Sequence, residues 1–166
     1  MAATPAVARL VALGIAYELH PYPHDPRSTA FGDEAVAALG VDPDRFLKTL
    51  LVEVETAGPA ARRLPLACGV VPVAGKLDLR AFARVVGAKR AAMADLALAE
   101  RSTGYVRGGI SPVGQRTPVP CVVDETALLW DTVLVSAGLR GLAIELAPAD
   151  LLVAAQARYG AVADSG

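Results

Sequence analysis

The chain has few lysines, only two cysteines and no large excess of charge of either sign. Each of these shortages excludes a class of protein. Its 16 basic residues are 13 arginines and three lysines, and 17 acidic residues bring the net charge to −1. No global basic field is available to recruit nucleic acid. Cys68 and Cys121 lie in apolar, strand-like runs without metal-ligand spacing, which predicts two buried thiols.

Signals for export and membrane insertion are also missing. The start, MAATPAVARL, has no basic segment before an apolar core, and no apolar run reaches the ~18 residues that a membrane span needs. We therefore expect a cytoplasmic protein. The 166 residues, 54% hydrophobic and 20% charged, predict one globular domain, 1–166, able to bury roughly 70% of its unfolded surface.

Helix and strand signals alternate along the chain. Capping residues and apolar periodicity predict helices over 5–13, 33–39, 79–86, 94–101 and 148–160. Alternating or apolar runs predict strands over 15–22, 48–55, 64–73, 119–125, 131–138 and 142–146. Prolines predict a loop over 21–32, and we expect the tail, 161–166, to be frayed. This order favours a single α/β domain built on a mixed sheet.

Lys48 opens a strand and shares a face with Leu50, Val52 and Val54 by alternation. A buried lysine is costly unless it is paired. One interpretation is that its ammonium enters a pocket and meets an anion or a carbonyl. The other is that the strand starts one residue later and Lys48 reaches solvent.

The segment YVRGGISPVGQ, residues 105–115, cannot be helical and has more special residues than a plain turn needs. Its glycines let backbone N–H groups approach a ligand, and successive amides can form an anion-binding concavity. Ser111 adds a hydroxyl and Pro112 fixes the exit of the loop. A surface turn is the alternative, and neither a Walker loop nor a dinucleotide-binding fingerprint is present.

Three further features have two interpretations each. The cations from Lys89 to Arg116 outnumber the acids by three, which indicates either a solvated face or a small phosphate-facing patch. His20 and His24 have a spacing that would suit zinc on a helix, but prolines exclude that helix and no third ligand is near. Tyr22 and Phe31 are either pocket walls or ordinary core residues.

Familiar hydrolase motifs are absent. The sequence has no G-x-S-x-G, no H-E-x-x-H and no cysteine close to a histidine. If the protein is an enzyme, we expect it to work without a protein nucleophile activated by a general base.

Several segments together resemble the YbaK/EbsC family, and within it the bacterial cysteinyl-tRNA(Pro) deacylases. They are HPYPHDP, FGDEAVAALG, KTLLVEV, VVPVAGKLDL, RSTGYVRGGISPVGQ and SAGLRGLAIEL, which stand in family order over most of the chain. The resemblance implies the fold of the editing domain of prolyl-tRNA synthetases: a mixed, mostly antiparallel, barrel-like sheet surrounded by helices. It also implies an aminoacyl-tRNA deacylase that needs no cofactor or metal.

The resemblance assigns the pocket residue by residue. The essential lysine of the family falls on Lys48, and the family's G-x-x-x-P motif falls on Gly108, Gly109, Ile110, Ser111 and Pro112. Residues that line the family's pocket match Tyr22, Phe31, Thr49 and Ser136. These elements are expected to surround the 3′ aminoacyl-adenosine of a mischarged tRNA.

The implied reaction is the editing of Cys-tRNA(Pro). A steric pocket separates near-isosteres by only about 1–3 kcal/mol, so a second sieve is needed. In the family mechanism the substrate's thiol attacks its own ester, which leaves the protein to orient and stabilise. The implied partners are mischarged tRNA and prolyl-tRNA synthetase in a ternary complex.

One position departs from the family pattern. Ala143 stands where the deacylases usually carry aspartate, which opens the identity of the amino acid that is cleared. The alternatives are a deacylase for another mischarged tRNA, such as Ala-tRNA, and a non-catalytic module that binds aminoacyl-tRNA.

Overall fold

The computed structural model describes residues 4–56 and 65–164. The described residues form five α-helices: α1 (Pro5–Leu13), α2 (Phe31–Leu39), α3 (Leu79–Val86), α4 (Leu96–Thr103) and α5 (Pro148–Ala155). They form ten strands: β1 (Glu18–Pro21), β2 (Leu47–Glu55), β3 (Leu66–Pro72), β4 (Lys76–Leu77), β5 (Arg90–Met93), β6 (Cys121–Asp124), β7 (Val133–Leu139), β8 (Leu142–Leu146), β9 (Ala157–Gly160) and β10 (Ala163–Asp164). A 3₁₀ helix covers Glu125–Leu129.

The predicted mixed, mostly antiparallel α/β architecture is confirmed. Five strands form one sheet in the order β5-β2-β3-β6-β9, in which β3, β6 and β9 are parallel neighbours and the other pairs are antiparallel. A second sheet, β1-β8-β7, and the short pair β10-β4 are wholly antiparallel. The two larger sheets meet at a parallel bridge between Phe46 and Leu134.

The five-stranded sheet is covered on both faces, which explains its continuous apolar strands. One face packs with α1, α5 and the second sheet, through residues such as Leu51, Val70 and Val123. The opposite face packs under α3, around Val52 and Phe82. Because both faces are buried, a polar side chain on β2 must find a cavity or pay a desolvation cost.

Capping residues set the helix boundaries as predicted for α1 and α3. The Thr4 hydroxyl accepts a hydrogen bond from the Val7 N–H, and the Asp78 carboxylate accepts one from the Ala81 N–H. Gly14 and Gly87 follow these helices in the left-handed conformation, where a side chain would be strained.

The predicted end of the last helix is wrong. α5 stops at Ala155 because Gln156 adopts the left-handed conformation, with φ 52°, and β9 follows at once beside β6. The tail is not frayed over its described part, since β10 pairs with β4. The predicted loop over 21–32 extends two residues too far, because α2 already begins at Phe31. The connection between β2 and β3 falls largely outside the described residues.

No helix within the described ranges is long and apolar enough to cross a membrane.

Candidate functional site

A cavity of about 430 Å³ lies beside the first half of β2. β5 pairs only with Val52–Glu55, so the edge of β2 before Val52 has no strand on that side. The cavity occupies this gap, between the start of α2, the residues that join β5 to α4, and the glycine-rich segment after α4. Its lining includes seven of the ten predicted site residues: Tyr22, Phe31, Lys48, Thr49, Gly108, Ile110 and Ser136.

Lys48 is half-buried and lines this cavity. Desolvation by burial lowers the pKa of its ammonium, and nearby Lys76 lowers it further, while Asp33 opposes both effects. Among the described residues no carboxylate lies within the 4.0 Å of an ion pair with it. The side chain is therefore a partly desolvated cation available to an anionic or carbonyl group in the cavity.

Thr49 contributes a hydroxyl without a partner. The residue is 9% exposed, and its Oγ1 is buried with no hydrogen-bond partner in the described structure. Leaving a buried hydroxyl unsatisfied costs about 1–3 kcal/mol, so such groups call for an explanation. Thr49 lines the cavity through its other atoms, because an oxygen without accessible surface cannot contact a ligand there.

Gly108 has two reasons to be glycine. Its φ is +83°, in the left-handed region, and a Cβ there would lie 2.4 Å from Cδ1 of Phe31. The aromatic ring thus packs directly on the bare backbone at the cavity wall. The missing side chain of Gly108 therefore makes room for the Phe31 ring.

Three residues of the predicted motif, Gly109, Ser111 and Pro112, lie outside the cavity lining. A Cβ on Gly109 would meet the backbone of the β7–β8 turn, 3.1 Å from the Arg140 nitrogen, and its N–H already donates to the Val106 carbonyl. The Ser111 side chain is fully buried, and its Oγ accepts from the Val113 N–H. Pro112 borders a different cavity of about 450 Å³, against α1. These three residues shape the loop.

The loop is fixed to the core by Tyr105. Burial raises the pKa of Tyr105 to about 12, so its hydroxyl stays protonated and donates to the Val113 carbonyl at 2.7 Å. Gly138 leaves room for the ring, since a Cβ there would lie 2.6 Å from it. Within the described chain, the N–H groups of Gly108 and Ile110 have no acceptor. They are the backbone donors available at this wall.

Sequence reasoning missed the apolar side of the cavity. Met93, Ala94, Leu96 and Ala99 line it, from the end of β5 into α4. β5 itself was not predicted, because Arg-Ala-Ala-Met has little of the β-branched or aromatic character typical of strands. No local signal in the sequence connects this segment with Lys48.

The predicted basic patch is dispersed in the structure. Arg107 lines the cavity, whereas Arg90 pairs with Glu55 at 3.5 Å, and a Cβ on Gly104 would lie 3.4 Å from the Arg116 side chain. The five cations therefore do not form one continuous basic surface at the site.

The two histidines do not form a shared metal site. His20 Nε2 lies 2.7 Å from Glu145, and His24 Nδ1 lies 2.6 Å from Glu34. Glu18, His20 and Glu145 do bring potential ligand atoms within 4.8 Å of one another. Arg45 already binds Glu145 at 2.6 Å, so this group is satisfied as an ion-pair network.

Comparison with known proteins identifies the family. A model described as the aminoacyl-tRNA editing domain matches residues 24–153, which is most of the chain. The chain belongs to this family. It is also 34% identical, over 141 residues, to a proposed Cys-tRNA(Pro)/Cys-tRNA(Cys) deacylase, EbsC of Enterococcus faecalis; the match covers 81% of this chain and 82% of that protein.

Solved structures share the fold of this editing domain. A proposed trans-editing enzyme for prolyl-tRNA synthetase superposes with a TM-score of 0.79 at 24% identity, covering 98% of this chain and 99% of the other. The hypothetical protein APE2540 superposes with a TM-score of 0.82 at 24% identity, covering 97% and 100%. The predicted editing-domain fold is thus confirmed.

The departure at Ala143 lies next to a residue of the cavity lining. Ala143 is fully buried on β8, directly opposite Ser136 of β7, and packs in an apolar cluster with Phe46 and Leu134. Ser136 reaches the cavity, and Ala143 does not line it. The residue opposite Ser136, Ala143, therefore has no polar side-chain group.

Proposed function

We propose that the chain, 1–166, acts as one editing domain that cleaves the ester of mischarged aminoacyl-tRNA, with Cys-tRNA(Pro) as its substrate. The proposal rests on one observation above all: Lys48 and Gly108 line the same cavity, and both are the residues that the family resemblance assigns to it. Membership of the aminoacyl-tRNA editing family and the similarity to EbsC supply the substrate class.

The cavity would take the 3′ end of the tRNA with its esterified amino acid. The ester carbonyl would lie at the Gly108 and Ile110 N–H groups. The Lys48 ammonium would stabilise the negative charge that develops on the carbonyl oxygen, or hold the terminal ribose and phosphate. Preorganised donors of this kind act strongly in a partly dry site.

The reaction is proposed to proceed through the substrate's own thiol. The cysteinyl sulfur loses its proton and attacks the ester carbonyl carbon, and a C–S bond forms. The C–O bond to the ribose then breaks, and the ribose oxygen takes up a proton. The products are a cyclic thiolactone and free tRNA. No protein nucleophile is required, which fits the absence of hydrolase motifs.

The first experiment measures deacylation of Cys-, Ser- and Ala-tRNA(Pro) by the isolated protein. Cys-tRNA(Pro) should be cleared fastest, because a hydroxyl is a far poorer internal nucleophile than a thiol. Equal rates on the cysteinyl and seryl substrates would contradict the thiol mechanism. No release of any amino acid would contradict the proposal that the chain is an enzyme and favour a binding module.

The second experiment replaces the lysine. Lys48→Ala should lower kcat by about 10²–10³, the loss typical of removing one transition-state donor. Lys89→Ala is the matched control, because Lys89 is exposed and does not line the cavity. Circular dichroism should show an unchanged fold for both. Full activity in Lys48→Ala would overturn the assignment of the site.

A second candidate substrate is an alanyl ester. One side of the cavity has apolar walls, Met93, Leu96 and Ala99 among them, and Ala143 places no charge beside Ser136. Such a wall suits a methyl side chain as well as a thiol. Faster clearance of Ala-tRNA(Pro) than of Cys-tRNA(Pro) would establish this alternative, with water as the nucleophile.

We also propose that prolyl-tRNA synthetase supplies the tRNA selectivity in a ternary complex. A chain with net charge −1 has little general attraction for tRNA. Adding the synthetase should therefore raise kcat/KM on full-length tRNA. Tight anticodon-dependent binding by the isolated protein would contradict this.

A further inference from the structure

Two arginines from different loops converge on Phe31 at the mouth of the cavity. The guanidinium carbon of Arg107 lies 5.7 Å from the centre of the Phe31 ring, and that of Arg140 lies 5.0 Å from it. Both distances are within the range of a cation–π contact. Phe31 and Arg107 line the cavity, so the two cations stand at its rim.

The two loops are joined to each other as well as to the ring. The Arg140 Nε–H donates to the Arg107 carbonyl at 2.7 Å, and the missing side chain of Gly109 lets the β7–β8 turn approach the loop. Each arginine follows an exposed apolar residue: Val106 is 51% exposed and Leu139 is 46% exposed. The rim therefore alternates apolar surface with fixed positive charge.

Neither guanidinium has an ion-pair partner among the described residues, and the nearby Glu100 carboxylate binds the Arg107 backbone N–H at 2.9 Å. Both arginines are exposed, and in the described part of the chain no carboxylate lies within 4.0 Å of either guanidinium. The first turn of α2 has two acidic residues, Asp33 and Glu34. The Asp33 carboxylate raises the pKa of Lys48, and Glu34 is bound to His24. Two uncompensated guanidiniums in a chain of net charge −1 indicate an anionic partner.

We propose that Arg107 and Arg140 bind the backbone phosphates of the single-stranded 3′ end of the RNA, next to the nucleotide whose ester enters the cavity. Guanidinium groups match phosphate geometry, and apolar side chains beside them offer surfaces on which bases stack. The arginines thereby set how deep the 3′ end enters, and Phe31 keeps them in position. This assignment rests on the proposed function, because it takes the ester-linked 3′ end as the cavity's ligand.

The experiment compares two substrates that differ in phosphate. One is aminoacyl-tRNA, and the other is a 3′-aminoacyl-adenosine nucleoside that carries the same ester without any phosphate. Arg107→Gln and Arg140→Gln should each lower kcat/KM on the tRNA roughly tenfold, as expected for loss of a charge-assisted contact. Each change should cost much less on the nucleoside, which has no phosphate for the arginines to bind. Arg80→Gln, on the exposed side of α3 away from the cavity, is the control that removes the same charge.

Salt dependence gives the second readout. For a single strand, each phosphate contact contributes about 0.7 to the slope of log affinity against log salt concentration. The double variant should therefore lose about 1.4 of that slope, whereas Arg107→Lys with Arg140→Lys should retain it. Equal losses on tRNA and on the nucleoside, or an unchanged slope, would show that the arginines only brace Phe31 and would overturn the proposal.

A binding arm separates this proposal from the proposed function. The binding of a fluorescently labelled RNA hairpin, with a single-stranded 3′ end that carries no amino acid, can be followed by fluorescence anisotropy. This measurement needs no turnover. If the wild type deacylates nothing but the two Gln variants still weaken hairpin binding, the deacylase proposal fails and the phosphate rim stands. If the wild type deacylates and the variants bind the hairpin as the wild type does, only the rim fails.

Discussion

Replacing Gly108 by alanine should damage the site through a steric clash with Phe31. The new Cβ would lie 2.4 Å from the ring, at a residue whose φ is +83°. The left-handed conformation costs a non-glycine residue about 1–2 kcal/mol, and overpacking adds about 1–3 kcal/mol. Together these predict a loss of about 2–5 kcal/mol in the free energy of unfolding, unless Phe31 moves and relieves part of it.

Gly87→Ala is the matched control for backbone strain. Gly87 has φ +75°, and a Cβ there would meet nothing within 4 Å. The two variants should share the conformational cost, so the difference between them in urea unfolding isolates the clash. In Gly108→Ala the displaced ring should also lower kcat/KM.

A double-mutant cycle with Phe31→Ala completes the test. If the ring causes the clash, Gly108→Ala should cost about 1–3 kcal/mol less in the Phe31→Ala background than in the wild type. Refutation would come from either of two results: equal costs in both backgrounds, or equal destabilisation by Gly108→Ala and Gly87→Ala.

Three further predictions concern polar groups. The Lys48 ammonium should titrate below the ordinary lysine pKa, followed by 13C NMR of its Cε; an ordinary or higher midpoint would contradict its desolvation. Thr49→Val should stabilise the free protein by about 1 kcal/mol in urea unfolding, since it removes a buried hydroxyl that has no partner in the described structure; destabilisation would show that the hydroxyl has a partner. Glu145→Gln should destabilise by about 1.5–3 kcal/mol at neutral pH, because Arg45 and Thr132 bind this carboxylate. Hydrogen bonding from Thr132, and then His20 and Arg45, lowers the pKa of Glu145. Its contribution is thus complete above the ordinary glutamate pKa and is lost as pH falls through the lowered one, so the gap between wild type and Glu145→Gln should shrink in acid urea titrations; a constant gap would contradict this.

Local rules were sufficient where a residue acts on its neighbours in sequence. The Thr4 and Asp78 caps, and the glycines after α1 and α3, follow from hydrogen bonding and left-handed backbone within one turn. Alternation along β2 was sufficient to place Lys48 on the face of Leu50. Its position beside a cavity is a finding of the structure, and its chemical role stays a prediction.

Local rules failed where distant segments decide the structure. Gln156 ends α5 in a conformation that favours glycine, so nothing in its residue type signals a helix end. α2 starts after Ala30, which offers no side-chain cap. Gly109 and Pro112, which the family resemblance assigns to the pocket, face the β7–β8 turn and the second cavity, and such contacts between distant segments leave no local pattern in the sequence.

The buried carboxylate of Asp124 ties the last strands to the middle of the sheet. It accepts hydrogen bonds from the Val162 and Ala163 N–H groups at 3.0 and 2.9 Å, and β9 lies alongside β6. During synthesis, β6 leaves the ribosome more than 30 residues before its outer neighbour. Until β9 is synthesised, the nascent chain exposes the outer edge of β6, and the Asp124 carboxylate lacks the Val162 and Ala163 N–H donors. We therefore expect ribosome-bound chains arrested before Ala157 to depend on a chaperone more than the complete chain does.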